Sequence, residues 1–354
     1  MTEVGGPMPD REYNNILIIK LSSLGDIIHA LPCAAALRER FPRAKISWIT
    51  EPPFAGFLPG QPVLDEILIF DKPRLRANGL GGKLSHLQEL GRELKARKFD
   101  LVLDLQGLFK SALVAWLTGC PERLGYCEMR ELSGLVSRAV CGEYRQAHVI
   151  DRYLDVIRHL GGKIEKVSFP LPALETEKRE MDQMLQELGI APEERPVVLA
   201  PGTSWPTKCW PVEYYGELAA RLTGQGYKVL VVGSKAESPL AAGIIAASPQ
   251  HTYDLTGRTN LRQLIALFQR IALFVSGDTG PLHLAVAAGA KIIALYGPTN
   301  PDRTGPYGSN SIVLRAGEPC APCFKKQCTT LDCMKSISAA KVFAECMAVL
   351  KPTS

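Results

Sequence analysis

Short runs of β-branched and other apolar residues alternate with amphipathic helical stretches along almost the whole chain. In the first half this pattern predicts strands at 16–20, 45–50, 66–70 and 100–105, and helices at 26–40, 84–98, 108–117 and 149–160. Strands that alternate with helices of this length are typical of βαβ units. The hydrophobic pattern therefore indicates an α/β fold with mainly parallel sheets.

A second series of the same kind follows a stretch at 161–176 that is rich in turn residues. Its predicted elements are strands at 197–200, 228–232, 252–255, 273–276 and 291–296, and helices at 177–188, 212–223, 237–247, 261–270 and 282–288. We therefore expect an N-terminal domain over residues 1–172 and a C-terminal domain over residues 173–336. The amphipathic helix predicted within 337–354 can fold back across either half, the N-terminal domain being one of the two positions.

Composition excludes several classes of protein. The 354 residues are 46% hydrophobic and 22% charged, which is too apolar for a disordered chain. No apolar run approaches the roughly 18 residues that span a bilayer, and the polar N-terminus is no signal peptide, so we expect a cytoplasmic protein. The net charge of +5 suits an anionic ligand or an anionic membrane face, but it is too small and too dispersed to indicate nucleic acid.

The two halves share one local arrangement. Gly25 and Asp26 follow the first predicted strand, and Gly277 and Asp278 follow the strand at 273–276. Each pair lies at the carboxyl end of a parallel strand, where open α/β sheets bind ligands. If the two domains face each other across a cleft, both turns will point at one shared site.

Asp26 has two interpretations. Its spacing from Ser23 fits a capping box, in which the acidic residue stabilises its own helix. Alternatively, Asp26 is a general base. A helix N-terminus favours the charged form of a carboxylate and makes it a weak base. A weak base suffices when the electrophile becomes cation-like before the proton leaves, as in glycosyl transfer.

The stretch 276–283 predicts an anion site. Pro281 suits the first position of a helix, Gly280 permits close approach of a ligand, and the N–H groups near Thr279 and Gly280 can bind a phosphate or diphosphate. The alternative is an ordinary capped helix in which Asp278 is a turn residue. No dinucleotide fingerprint or P-loop is present, so the phosphate site would be of another type.

Two further loops carry polar candidates. The loop at 200–211 presents the hydroxyls of Thr203 and Ser204 and the ammonium group of Lys208, which suits phosphate oxygens. Glu237 opens a predicted helix, where it can accept hydrogen bonds from a ribose diol or simply stabilise its own helix.

Four of the ten cysteines are clustered, at Cys320, Cys323, Cys328 and Cys333. Four thiolates can form a tetrahedral structural site for zinc or iron, although the spacing is not that of paired zinc motifs. The other six cysteines are expected to be reduced, buried small residues because the chain has no export signal.

Five segments carry a family resemblance, at 18–32, 104–112, 200–211, 276–283 and 295–301. In this order they resemble the bacterial lipopolysaccharide heptosyltransferases, glycosyltransferase family nine. The resemblance implies a GT-B fold, in which two Rossmann-like, doubly wound domains face each other across a cleft. It also implies inverting transfer of L-glycero-D-manno-heptose from ADP-heptose to a lipid A-linked acceptor (Kdo or the first heptose). We expect no required cofactor, and the protein would work peripherally at the cytoplasmic face of the inner membrane.

The resemblance also implies roles for individual residues. Asp26 would be the general base, Asp278 would contact the heptose, and Glu237 would hold the ribose. His283 matches the family motif on the donor side without an assigned role. Residues Thr203, Ser204, Lys208, Thr279 and Gly280 would bind the diphosphate, and residues Ser23, Gly25, Arg74, Arg76 and Arg130 would contact the acceptor.

Three alternatives stay open at this point. The Ser-Ser-Leu-Gly-Asp motif at 22–26 is more similar to enzymes that add the first heptose, whereas Glu128-Met129-Arg130 is more similar to those that add the second. A different sugar-nucleotide transferase acting on a protein acceptor is a further possibility. The third is a non-catalytic module that binds ADP or a metal.

Overall fold

The computed structural model describes residues 11–71 and 79–350. The chain divides into two compact units, Met1–Pro172 and Ala173–Ser354. Each unit contains a six-stranded parallel sheet with helices. The α/β fold expected from the hydrophobic pattern is thereby confirmed.

The first unit is doubly wound. Its strands are β1 (Asn15–Ile19), β2 (Lys45–Thr50), β3 (Glu66–Ile69), β4 (Leu101–Asp104), β5 (Arg123–Tyr126) and β6 (Arg138–Val140). Its helices are α1 (Leu24–Arg40), α2 (Pro52–Ala55), α3 (Gly79–Ala96), α4 (Phe109–Leu117) and α5 (Val149–His159). The strand order β3-β2-β1-β4-β5-β6 changes direction between β1 and β4. Ligands bind open α/β sheets at the carboxyl ends of the strands next to such a switch point.

The second unit repeats this topology. Its strands are β7 (Val197–Ala200), β8 (Val229–Val231), β9 (Thr252–Asp254), β10 (Leu273–Gly277), β11 (Ile292–Tyr296) and β12 (Ser311–Arg315). Its helices are α6 (Glu175–Glu187), α7 (Val212–Thr223), α8 (Ser238–Ala247), α9 (Leu261–Phe268), α10 (Gly280–Ala287), α11 (Pro301–Thr304), α12 (Asp332–Lys335) and α13 (Ala339–Leu350). The order β12-β11-β10-β7-β8-β9 has its switch point between β7 and β10.

The last helix belongs to the second unit. Val342 and Cys346 on α13 are fully buried and join the core built by β7, β10 and α7. Of the two positions left open for this helix, the structure shows packing in the core of the second unit. In the described part of the chain, no helix is both long enough and apolar enough to cross a bilayer.

Two of the scattered cysteines form a disulfide. Strands β5 and β6 are parallel neighbours, and Tyr126 pairs with Val140 at their carboxyl ends. The residue that follows each strand is a cysteine, and Cys127 and Cys141 are bonded to each other. The expectation that both are reduced thiols is wrong for this structure, because the sheet pairing brings their side chains together.

Candidate active site

The carboxylate of Asp26 lies at the carboxyl end of β1, in the first turn of α1, which also contains Gly25. Its Oδ2 accepts hydrogen bonds from the backbone N–H of Ser23 at 3.2 Å and from the Ser23 hydroxyl at 2.8 Å. Its Oδ1 accepts no hydrogen bond from the described residues. One oxygen therefore stabilises the helix start, as the capping interpretation requires, while the other is available to a substrate proton.

A buried lysine lies beside this turn. The Nζ of Lys20 donates to the carbonyl of Leu105 and to the hydroxyl of Tyr153, both at 2.7 Å. Burial lowers the pKa of Lys20 to about 8, and the carboxylates of Asp26 and Asp104 act in the opposite direction. The edge of the first sheet thus contains a cation that loses its charge at mildly alkaline pH.

The motif at 104–112 forms a hydrogen-bonded clamp. The Oδ1 of Asp104 accepts from the N–H groups of Gln106 at 3.0 Å and Gly107 at 2.9 Å, and Oδ2 accepts from the Ser111 hydroxyl at 3.0 Å. Burial raises the pKa of Asp104, and these hydrogen bonds act against it. The side-chain oxygen of Gln106 in turn accepts from the N–H of Leu21 at 3.1 Å. The motif therefore holds the turn before Asp26 in place.

Lys110 is a site residue that the sequence interpretation missed. Its Nζ donates to the Ser22 hydroxyl at 2.5 Å and to Glu51 Oε1 at 2.8 Å. These contacts join the loops that follow β1 and β2 to the start of α4. The sequence signal for Lys110 was its place within the 104–112 motif. The sequence does not show which side chains it contacts. Lys110 is a second cation at the edge that contains Asp26.

Of the three arginines predicted to contact the acceptor, the structure describes one. Arg74 and Arg76 lie outside the described residues. Arg130 is exposed, and its backbone N–H donates to the carbonyl of Gly107 at 2.8 Å. Gly107 has a φ of +65°, a conformation that favours glycine. The loop that carries Arg130 is thereby fixed to the 104–112 clamp.

The second unit brings Lys208 and Asp278 together. The Nζ of Lys208 donates to Asp278 Oδ2 at 2.7 Å, and the hydroxyl of Thr299 donates to the same oxygen at 2.8 Å. A Cβ at Gly277 would lie 2.8 Å from the carbonyl of Lys208, so only glycine fits there. Lys208 also lies 4.4 Å from the centre of the Trp205 ring. Thr299, on the loop after β11, was not predicted as a site residue.

His283 completes the surroundings of Asp278. Its Nε2 is 3.6 Å from Asp278 Oδ1, and both side chains are buried. Burial alone would raise the pKa of Asp278, but His283 and Lys208 outweigh it and hold that pKa well below its usual value. Asp278 is therefore a permanent anion that accepts hydrogen bonds and has no proton to give.

The remaining predicted phosphate contacts lie at the same sheet edge. The hydroxyl of Thr203 donates to the carbonyl of Trp205 at 2.6 Å, and Ser204 is exposed. Thr279 precedes α10 in extended conformation, and Gly280 begins the helix directly after the turn that follows β10. Backbone N–H groups at such a helix start have no partner within the helix.

Glu237 packs closely against two glycines. Its Oε2 accepts from the N–H of Ser234 at 2.5 Å. A Cβ at Gly202 would lie 1.5 Å from Glu237 Oε1, and one at Gly233 would lie 2.6 Å from Oε2. The carboxylate therefore stabilises its own turn and lies against the loops that leave β7 and β8. Ribose binding and stabilisation of its own helix, the two roles that the sequence left open for Glu237, are both compatible with this position.

The clustered cysteines are not gathered as metal ligands. Within residues 11–71 and 79–350, no group of three or more His, Cys, Asp or Glu side chains is placed to hold a metal ion. Cys333 is buried in the core of the second unit against Gly297, whereas Cys320 and Cys328 are exposed and Cys323 is half-buried. The zinc or iron site that the sequence left possible is therefore not assembled in this structure, because the Cys333 thiol is buried in the core.

Similarity to known proteins extends over most of the chain. The model of glycosyltransferase family 9 (heptosyltransferase) matches residues 87–334. Lipopolysaccharide heptosyltransferase 1 of Pseudomonas aeruginosa is 32% identical over 320 residues, which cover 89% of this chain and 87% of the relative.

Two solved structures extend this similarity to the fold. The family 9 glycosyltransferase of Veillonella parvula has a TM-score of 0.83 at 24% identity, covering 96% of this chain and 97% of that chain. The ADP-heptose lipopolysaccharide heptosyltransferase II of Escherichia coli has a TM-score of 0.75 at 26% identity, covering 95% and 98%.

Two Rossmann-like sheets that match a solved heptosyltransferase along most of the chain give this protein the fold of a GT-B glycosyltransferase. The extent of the sequence similarity makes the assignment more specific. This chain belongs to glycosyltransferase family 9, the heptosyltransferases.

Proposed function

We propose that this protein transfers L-glycero-D-manno-heptose from ADP-heptose to the inner core of lipopolysaccharide, onto Kdo or onto the first heptose. Family membership supports the reaction class, and the names of the relatives supply the donor and the acceptor. The observation that carries the proposal is the chemistry at the two switch points. One has a carboxylate with an available oxygen, at Asp26, and the other has the Lys208–Asp278 pair.

In the proposed reaction, an acceptor hydroxyl oxygen attacks the anomeric carbon of the heptose. The bond between that carbon and the diphosphate oxygen breaks, and ADP leaves with the bonding electrons. Asp26 takes the proton of the hydroxyl through Oδ1, since Oδ2 is already occupied by Ser23. Attack on the face opposite the leaving group inverts the configuration.

The donor is proposed to bind at the edge of the second sheet. Lys208 and the helix start after β10 supply the positive potential that a departing diphosphate needs, so no metal is required for this step. Asp278 accepts hydrogen bonds from heptose hydroxyls, with His283 orienting it. Glu237 holds the ribose, and the diphosphate contacts are Thr203, Ser204, Lys208, Thr279 and Gly280.

The acceptor is proposed to bind at the edge of the first sheet. Its anionic groups would meet Arg130 and Lys110, near Ser23 and Gly25. Since the acceptor is linked to lipid A, we propose that the enzyme works at the cytoplasmic face of the inner membrane. The position of the added heptose, first or second, is decided by which acceptor is used.

The test is transfer from ADP-heptose to deacylated acceptors that end in Kdo or in one heptose, with the product identified by mass spectrometry. We expect Asp26→Asn to lower kcat by at least about a hundredfold because general bases contribute this much, with ADP affinity unchanged. Glu39→Gln is the matched control, since it neutralises an exposed carboxylate near the other end of the same helix and is expected to leave kcat unchanged. An Asp26→Asn variant with full activity would show that Asp26 only caps its helix.

A further inference from the structure

Four large apolar side chains are exposed on one part of the first unit. Phe109, Trp116, Leu132 and Leu135 are 61–82% exposed, and they are four of the seven large apolar residues exposed in the described part of the chain. Phe109 and Trp116 are seven residues apart on α4, so they share a helix face. Helix α4 contacts the short 3₁₀ turn Ser133–Leu135. We call these four residues the apolar surface.

The loop that carries the two leucines is held in this exposed position. Glu131 and Leu132 have φ values of 52° and 65°, a left-handed conformation that is unfavourable for residues other than glycine. The Glu131 carboxylate accepts from the N–H of Phe109 at 3.2 Å, which ties the loop to α4. The exposure of the leucines is therefore fixed by the fold.

The kind of side chain on this surface points to a lipid occupant. Two are aromatic and two are leucines, and all four are more than half exposed. Insertion of a few Trp, Phe and Leu side chains into the headgroup region of a bilayer removes their apolar surface from water.

The surface also adjoins the edge proposed to bind the acceptor. Lys110 follows Phe109 directly and contacts Ser22, and Arg130 lies two residues before Leu132. The Arg130 side chain is exposed, and a cation beside inserted apolar groups is attracted to anionic headgroups.

From these observations we propose that the apolar surface docks this enzyme on a bilayer that contains anionic phospholipid, and so brings the edge around Asp26 to lipid-linked acceptors. This inference rests on the proposed function, because that function supplies the lipid-linked acceptor. It adds the part of the chain that contacts the membrane.

The first experiment measures binding to vesicles of phosphatidylethanolamine and phosphatidylglycerol by flotation. The double variant Leu132→Ser/Leu135→Ser is expected to lower the partition coefficient by about tenfold or more, because two apolar side chains are lost from the interface. Phe324→Ser is the matched control: Phe324 is 51% exposed but lies in the second unit, and its loss is expected to change partition less than about twofold. Equal binding by wild type and double variant overturns the proposal.

Tryptophan fluorescence gives an independent readout. The chain has four tryptophans, and Trp48 and Trp210 are buried. Vesicles of brominated phospholipid are expected to quench the wild-type protein, and Trp116→Phe is expected to remove most of the quenching. Quenching that persists in Trp116→Phe means that another part of the chain meets the lipid, which contradicts the proposal.

Two activity assays separate this inference from the proposed function. The double leucine variant is expected to match wild type on a deacylated acceptor in solution and to lose activity on the same acceptor embedded in vesicles. If wild type itself fails on the soluble acceptor, the proposed function fails, and the vesicle-binding result still decides the docking surface. A wild-type dimer that Leu132→Ser/Leu135→Ser dissociates in sedimentation would instead assign the surface to a second copy.

Discussion

The Nζ of Lys208 lies 2.7 Å from Oδ2 of Asp278, and the two side chains are only 13% and 9% exposed. The lysine proposed to bind the diphosphate is therefore already paired with the carboxylate proposed to bind the heptose. Pairing keeps the buried charges compensated before the donor arrives. Because Thr299 and His283 also contact Asp278, the proposed movement of the lysine to phosphate oxygens would leave this carboxylate with partners.

The first prediction concerns the removal of this cation. Lys208→Met leaves Asp278 buried with fewer partners, so we expect the free energy of unfolding to fall by about 2 kcal/mol, less than for a fully buried pair. We also expect ADP affinity to fall at least about tenfold, since one charge-assisted contact is lost. Denaturant titration and calorimetric titration with ADP measure the two effects.

The double variant Lys208→Met/Asp278→Asn is the control for stability. It removes both charges, so most of the lost stability should return while ADP affinity stays low. A Lys208→Met protein that binds ADP as tightly as wild type contradicts the proposed role of Lys208.

The second prediction concerns pH and Lys20. Burial lowers the pKa of Lys20 to about 8 in the folded chain, against about 10.4 in an unfolded chain. Between these values the unfolded state binds more protons, so this group makes stability rise with pH. Below pH 8 the full cost of burying the ammonium group is present, on the order of 3 kcal/mol.

Lys20→Met tests this prediction. The free energy of unfolding, measured from pH 7 to pH 10, should rise less steeply in the variant than in wild type, because the titrating group is gone. The absolute stability of the variant also reflects the Leu105 carbonyl and Tyr153 hydroxyl that lose their donor, so the slope is the decisive quantity. Parallel curves would show that Lys20 does not titrate in this range.

The third prediction uses the close contact between Gly202 and Glu237. A Cβ at Gly202 would lie 1.5 Å from Glu237 Oε1, so Gly202→Ala must displace the carboxylate. If Glu237 holds the ribose, the KM for ADP-heptose should rise about tenfold, the cost of one lost charge-assisted hydrogen bond, with a smaller change in kcat. Gly317→Ala is the matched control, because a Cβ there meets nothing within 4 Å. Unchanged KM in Gly202→Ala would remove Glu237 from the donor site.

Local periodicity predicted most elements because strands buried on both faces and helices with one apolar face have different patterns. It missed three short strands, β5, β6 and β12, the first two of which begin with Arg123 and Arg138. Arg138 pairs with Glu122, and Arg123 donates to the carbonyl of Val136 at 2.8 Å. The two arginines find these partners only in the folded chain. The local sequence pattern therefore does not predict a strand at either position.

At the site, too, local sequence patterns predicted some features, and others depend on the tertiary structure. The glycine–acid turns at Asp26 and Asp278 were predictable, because both follow apolar runs that end in a turn. The ion pairs that surround these turns could not be predicted. Lys110 contacts Glu51 across 59 residues of sequence, and Lys208 contacts Asp278 across 70. Such pairs follow from strand order, which periodicity does not contain.

The last prediction concerns the disulfide between Cys127 and Cys141, which became visible only once β5 and β6 were paired. Protein purified without reductant and then denatured should titrate eight thiols, and ten after reduction, because eight of the ten cysteines are free. A cross-link that closes a loop of about 15 residues contributes roughly 3 kcal/mol, so reduction should lower the free energy of unfolding by a comparable amount.

The variant Cys127→Ser/Cys141→Ser should have the stability of the reduced protein and should not respond to reductant. This comparison separates the loss of the cross-link from other effects of the reductant on the eight free thiols. The loop closed by the disulfide carries Arg130, so transfer to the acceptor should also weaken in the variant while ADP binding in the second unit persists. Ten thiols in the untreated protein would show that the two cysteines are reduced, as the sequence pattern first indicated.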